Sequence, residues 1–387
     1  MGLLPKLAKT NTSMGLDIGS SSIKLVQLQE TKAGVSLCKA GSAPTPRDAV
    51  KAGVVVDPLA VAKAVQSLLE ALQLEGGQVT AGVAGPTVVV REVPLPAMSD
   101  RQLRKSIQWE ARNYISFPVE DSVVEFQVLD RPAPGEGTQM RVMLVAVPRD
   151  MVDSQVEAIE VAGLDPVAVE IQPFAMIRGI LAANGSHGTE GETTAVLGIG
   201  AAYTDITIMK DGAFVLTRMI PIAGDAFTDA IKNALDIDAE EANQLKETAM
   251  QVVSSEEERA TLDPAAQQAS RAIEPLLDEL IREVRRSLAY TDYQQQAPDA
   301  GAGDLGVNRI LLSGGSAKLP RINEYFMSQL GVPVEVVSIF GNGQVRAHGV
   351  NQEYLQSHAP TLLVGAGLAL RELPEARQHG AEAGEKA

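Results

Sequence analysis

Two stretches about half a chain apart follow one pattern, and this constrains the fold of the 387-residue chain more than any other feature. Leu16, Asp17, Ile18, Gly19, Ser20, Ser21, Ser22 and Ile23 lie position by position over Leu197, Gly198, Ile199, Gly200, Ala201, Ala202, Tyr203 and Thr204. In each copy an apolar strand ends on an Ile-Gly turn of small residues and a second apolar strand follows, at 14–18 and 23–29 in the first copy. Such self-similarity predicts a duplicated domain. A tight glycine turn between strands aims backbone N–H groups and short hydroxyls into one concavity, which suits phosphate oxygens. Asp17 beside the turn is placed to hold a hydrated divalent cation, since hard cations take carboxylate and water oxygens. A third turn, Gly314, Gly315 and Ser316, follows a strand at 309–313 and leads to a helix with Pro320 near its first turn.

With 45% of its side chains apolar, a chain of this length can bury two cores. The 33 basic against 49 acidic residues argue against a nucleic-acid partner, because phosphate-backbone binding needs a basic face. The single cysteine, Cys38, excludes an intramolecular disulfide, and its neighbours Val35, Leu37 and Ala40 suggest strand packing. No apolar run approaches the ~20 residues that span a bilayer. Residues 1–13 are too sparsely apolar for a secretory signal, so a cytoplasmic location is expected. The four histidines show no ligand spacing, and there is no P-loop.

Along the chain, apolar spacing predicts a helix at 58–72 and strands at 79–83 and 88–93, all in the first half's core. From Pro94 the character changes. Ser99 and Gln102 fit a capping box opening a helix whose buried stripe is Leu103, Ile107, Ala111 and Tyr114. Trp109, the only tryptophan, lies off that stripe, and would either pack on a neighbouring subdomain or anchor a partner peptide. Strands at 123–129 and 141–148 and a helix at 150–162 complete an insertion-like subdomain. A strand at 167–172 returns to the first core, and 184–192, with three glycines, reads as a hinge. Residues 254–268 read as a polar surface excursion before a long helix carrying Ile273, Leu277, Leu280, Val284 and Leu288.

The set Asp17, Gly19, Ser20 and Lys24, then Gly200 and Thr204, then Ser313, Gly314, Gly315 and Ser316, then Gly365, Ala366 and Gly367 resembles four motifs of the actin-like ATPase fold. In chain order these are the phosphate-1, phosphate-2, adenosine and connecting motifs. Segments 108–120, 171–175 and 365–371 resemble the PilM branch, the actin-like proteins of type IV pilus assembly. The resemblance implies an α/β, actin-like ATPase fold with two duplicated lobes, 14–185 and 193–372, and a nucleotide cleft between them. A peptide-binding subdomain, 94–165, would be inserted in the first lobe, and 1–13 and 373–387 would be flexible termini.

It further implies ATP and Mg2+ as ligands. Asp17 would hold the metal through water, and Gly19, Ser20, Ser21, Ser22, Lys24, Gly200, Ala201, Thr204, Gly224, Lys246, Gly314, Gly315, Ser316 and Lys318 would border the nucleotide. Gln172, directly before Pro173, would sit beside the attacking water, with Glu170 on the same strand face and Asp17 as further catalytic candidates. Trp109 and Tyr114 would line a groove for the cytoplasmic N-terminus of PilN. The resemblance places PilO at one remove, raises pilus motor ATPases and a ring or other oligomer as assembly partners, and gives contact with the inner membrane only through partners. One departure stands out: Gly198 occupies the place where the second phosphate motif usually has an aspartate. With an acid on one lobe only, slow or undetectable hydrolysis is expected. An FtsA-like division filament protein is the alternative, weakened by a tail at 374–387 without a large apolar residue. A metabolic kinase of the same fold is disfavoured by Gly198.

Overall fold

The computed structural model describes residues 12–32, 34–132, 138–184, 191–294, 306–340, 345–347 and 350–373. The chain opens with β1 (Thr12–Ile18), β2 (Ser22–Thr31) and β3 (Gly34–Pro44), followed by the short strands β4 (Val50–Lys51) and β5 (Val54–Val55), α1 (Pro58–Leu72) and β6 (Gly77–Val83). Next come β7 (Val89–Pro96), α2 (Asp100–Ala111), β8 (Ser122–Asp130), β9 (Gln139–Pro148), α3 (Arg149–Val161), β10 (Leu164–Ile171) and α4 (Gln172–Asn184). The second half runs β11 (Thr193–Ile199), β12 (Thr204–Lys210), β13 (Ala213–Ile220), α5 (Gly224–Leu235), α6 (Ala239–Thr248), α7 (Glu256–Arg259) and α8 (Pro264–Gln294). It ends with β14 (Arg309–Ser313), α9 (Ile322–Leu330), β15 (Val334–Val336), β16 (Val345–Ala347) and α10 (Gln352–Leu370).

The duplication is written in the strand order. One sheet reads β10-β6-β1-β2-β3-β16 and the other β13-β12-β11-β14-β15. Read from β3 and from β13, the first five strands correspond one to one, with an antiparallel hairpin at the centre and parallel strands beyond it. The extra strand β16 comes from late in the chain and pairs parallel with β3.

Five layers result. Helices α1 and α3 cover one face of the first sheet, where Leu16, Ile23, Leu25, Val61, Val65 and Ile159 are buried together. Helices α4 and α10 fill the space between the sheets: Val26 and Leu37 from one and Val196 and Leu311 from the other meet Ile177, Ile180, Leu362 and Leu363. Helices α5, α6, α8 and α9 cover the outer face of the second sheet around Phe227, Ile273, Leu280 and Phe326. Beside the first sheet, β7, β9 and β8 form a separate sheet whose core takes Leu103, Ile107 and Ala111 from α2.

Several boundaries differ from those read in the sequence. The strand expected at 88–93 pairs with β9 rather than with the first sheet, because its inward residues Val93 and Leu95 face the apolar side of α2. Helix α3, expected in the inserted subdomain, packs on the first sheet through Ala158 and Ile159. Strand β16 and helix α10, read as part of the second lobe, join the first sheet. The excursion at 254–268 contains α7 and the start of α8, fixed by Arg259, which is 3% exposed and ion-paired to Glu256 and Glu274. Most of the expected hinge (185–190), most of both termini, and His187, His348 and His379 lie outside the described residues. Among the described residues no helix is long and apolar enough to cross a membrane.

Candidate functional site

The first hairpin puts Asp17 and Lys24 directly opposite each other on β1 and β2. Lys24 Nζ donates to Asp17 Oδ2 at 3.2 Å, and both side chains are largely buried. Gln172 starts α4 at the end of β10, and its Nε2 donates to Asp17 Oδ1 at 2.8 Å. The turn is closed by Gly19 N–H donating to Ser22 O at 3.1 Å. From outside, Thr45 Oγ1 donates to Gly19 O at 2.7 Å and Thr45 N–H to Ser21 O at 3.0 Å. Ser20 and Ser21 are exposed and Ser22 is half-buried at this bend.

The second hairpin is built alike and braced more heavily. Gly200 N–H donates to Tyr203 O at 3.1 Å, and the start of α5 leans on the turn: Gly224 N–H donates to Gly200 O at 3.1 Å and Asp225 N–H to Ala201 O at 2.8 Å. Thr204 is fully buried, its hydroxyl spent on Ile222 O at 2.6 Å. Ser316 Oγ donates to Gly200 O at 3.2 Å, which brings the third turn onto the second. Gly314 holds φ +90, and a Cβ there would stand 2.5 Å from Ile199 O, so both conformation and space require glycine. Gly315, in contrast, faces open space. Lys246, 7% exposed, reaches in from α6 to Gly224 O at 3.1 Å and Thr228 Oγ1 at 2.7 Å. Burial pulls its ammonium pKa down, while Glu247 and Asp225 act against that shift. Lys318 follows the third turn, and its charge helps hold the His358 imidazole pKa down after burial.

The structure corrects the expectation of an acid on one lobe only. Strand β12 places Asp205 opposite Gly198 on β11, and a Cβ added to Gly198 would lie 2.1 Å from Asp205 Oδ2. The carboxylate thus fills the space a side chain at 198 would need. Burial, and after it the charge of Asp17, push the Asp205 carboxyl up to about 7 against the opposing effect of its backbone hydrogen bond. Its Oδ1 is buried without a hydrogen-bond partner. Asp205 and Gln172 line one small cavity of about 60 Å³ together with Ala84, Pro86, Thr217 and Arg218. Sequence held the signal: in the repeat, Asp205 lies under Lys24, one position past the aligned Thr204.

Glu170 is not available as a base. Its side chain is 7% exposed, and both oxygens are taken by Arg178, at 2.6 and 2.8 Å. On the inserted subdomain Trp109 is 66% exposed with the Arg112 guanidinium 5.2 Å above its ring, so it does not pack on a neighbour. Tyr114 is half-buried against the subdomain's own core. Gln102 Oε1 accepts from Ser99 N–H at 3.0 Å, as the capping reading expects.

The connecting motif explains its glycines. A Cβ at Gly15 would stand 2.0 Å from Gly365 O, and one at Gly367 would stand 1.8 Å from Ala175 O. Helix α10 therefore lies backbone to backbone on β1 and on α4. The family model for type IV pilus assembly protein PilM matches residues 15–373. The chain belongs to the PilM family. Among solved structures, a PilM-PilN type IV pilus biogenesis complex superposes with a TM-score of 0.78 at 28% identity, covering 93% of this chain and 98% of that one. MreB5 of Spiroplasma citri bound to AMPPNP gives 0.50 at 14%, covering 97% and 100%, a likeness of fold alone. Among curated proteins, cell division protein FtsA of Streptococcus pneumoniae is 25% identical over 368 residues, 85% of this chain and 76% of the relative. The PilM assignment and the actin-like fold thus agree with the motif reading.

Proposed function

We propose that this PilM-family protein binds ATP with Mg2+ between its two hairpins. The supporting observation is that Gln172, bonded to Asp17 of the first hairpin at 2.8 Å, lines one small cavity with Asp205 of the second, so a carboxylate from each hairpin flanks the same amide. A buried carboxylate oxygen without a partner fits a hard cation, which would compete with the proton that burial favours on Asp205. Among the described residues no cluster of three or more acidic, histidine or cysteine ligands exists, so water and phosphate oxygens would complete the shell. The bound metal would supply charge neutralisation at the phosphates.

The chain's own groups divide the remaining work. Ser20, Ser21 and Ser22 on one side and Ala201 on the other would offer N–H and hydroxyl donors to the phosphates, with Gly19 and Gly200 shaping the turns through their own N–H bonds and Lys24 adding charge. Gly224, Lys246, Gly314, Gly315, Ser316 and Lys318 would border the nucleoside. Gln172 can orient a water but, as an amide, cannot take its proton. Glu170 is neutralised by Arg178, so turnover below about 1 s⁻¹ is expected despite the second acid.

The second part of the proposal concerns the partner. A cytoplasmic N-terminal peptide of PilN would dock on the inserted subdomain, with exposed Trp109 as anchor and Tyr114 supporting it. The protein would sit at the cytoplasmic face of the inner membrane through this contact. PilO would be reached through PilN, while motor ATPases and a ring remain further assembly partners of the proposal. Calorimetric titration of ATP with and without Mg2+, then of the PilN peptide against Trp109 fluorescence, tests both parts. No heat with Mg·ATP defeats the first part, and a flat fluorescence response with no heat defeats the second.

A further inference from the structure

Arg178 sits on α4, six residues after Gln172, and makes three hydrogen bonds, which enter the proposed nucleotide chemistry only by occupying Glu170. Its guanidinium forks onto Glu170, Nη2 to Oε1 at 2.6 Å and Nη1 to Oε2 at 2.8 Å. The same Nη1 donates to Gly367 O on α10 at 2.8 Å. A planar guanidinium can bind a carboxylate and a carbonyl at once, in fixed directions, as an ammonium cannot. Arg371 stands farther off, 3.5 Å from Glu170 Oε1.

What these bonds connect matters. Glu170 on β10 is level with Gly82 on β6, which is level with Asp17 on β1, so Glu170 and Asp17 share one row of the first sheet. Gln172 follows Glu170 by two residues and touches Asp17. Helix α10, which Arg178 also holds, carries Pro360, whose carbonyl accepts from Gly314 N–H at 2.9 Å and Ser313 Oγ at 2.8 Å on the second lobe. Where α4 meets α10 there is no side chain at Gly367 to cushion the contact with Ala175 O. The bonds from Arg178 therefore fix both the start of α4 and its distance from the helix that reaches the third glycine turn.

We infer that Arg178 is a positioning residue for Gln172. It clamps α4 to Glu170 and to α10, so that the Gln172 amide meets Asp17 only while the two interlobe helices are in register. The inference rests on the proposed Mg·ATP site for its second readout only. The first readout is the side-chain amide of Gln172 in the nucleotide-free protein, labelled with 15N-glutamine and assigned by its loss in Gln172→Ala. In wild type this resonance is displaced by the bond to Asp17. In Arg178→Ala it should move to the position of a free glutamine, and Arg178→Lys, which keeps the charge and most of the volume but not the fork, should behave like Arg178→Ala.

The second readout is nucleotide affinity. Arg178→Ala should weaken Mg·ATP at least tenfold and metal-free ATP less than threefold, and the Arg178→Ala/Gln172→Ala double variant should be no worse than the larger single effect. Arg282→Ala on the exposed face of α8 serves as the surface control. An amide resonance unmoved in Arg178→Ala and Arg178→Lys overturns the inference whatever the nucleotide does, as do additive losses in the double variant. If wild type shows no magnesium-dependent binding, the ATP proposal fails alone and the amide resonance still decides the role of Arg178.

Discussion

The two hairpins share register, turn length and neighbours, yet they carry their charge on opposite strands. In the first, the acid is on the leading strand and a lysine faces it, Asp17 against Lys24. In the second, the leading strand has only Gly198 and the acid comes from the facing strand, Asp205. A one-for-one comparison of motifs registers this as a lost carboxylate. The register of the hairpin shows that the acid has been transferred across the ladder instead. The lesson is that an antiparallel pair is one site with two addresses, since residues directly opposite each other have side chains on the same face.

The strongest way to break this comparison is Gly198→Asp. Two carboxylates would then compete for one buried space, since the new Cβ alone meets Asp205 Oδ2 at 2.1 Å. A cost of about 3–5 kcal/mol is expected from overpacking and an uncompensated buried charge, read as a fall in Tm. Gly198→Asp/Asp205→Gly should recover most of it, and a neutral Gly198→Asp would contradict the single-space account.

Asp205→Asn comes next. The folded carboxyl is near 7 and its ordinary value 3.8, so the native state keeps a proton that the unfolded chain gives up between them. Wild-type stability should therefore fall as pH rises from about 4 to about 7 on this group's account. Without metal, Asp205→Asn should be more stable than wild type at pH 8 by roughly 2–4 kcal/mol, with no gain at pH 4. Paired urea titrations across this range measure it. Mg·ATP affinity should move the other way, falling tenfold or more.

Lys24→Met sharpens the first half of the comparison. It leaves Asp17 with Gln172 alone and should cost about 1–2 kcal/mol, measured by denaturant unfolding. The smallest effect belongs to Gly315→Ala, because a Cβ there meets nothing within 4 Å. A change within about 0.5 kcal/mol is expected.

Much of the fold was legible because duplication and periodicity are local in the sequence. The hairpins, α1, α8 and the third glycine turn fall where the spacing puts them. The affiliations of β7, α3, β16 and α10 were not legible, because which sheet an amphipathic element covers depends on partners far away in the chain. Val93 reads the same whether it faces the first sheet or α2. The site was legible where one residue makes the turn, as at Gly19, Gly200 and Gly314. Asp205 was hidden by Gly198, and the pairing of Glu170 with Arg178 by the fact that strand and helix face each other only after folding. Trp109 was placed correctly off its helix's stripe, but its exposure reflects what the subdomain leaves uncovered.

The pairing of β16 with β3, and the packing of α10 over the strands beside it, have a consequence for synthesis. A ribosome delivers β1, β2, β3 and β6 early, but the helix that covers their inner face comes some 270 residues after the last of them. Until then Val26, Leu28 and Leu37 lack the part of their cover that Leu362 and Leu363 of α10 supply beside α4. The first half without α10 would therefore expose part of this apolar surface to chaperones or to other chains. Its completion waits on α10.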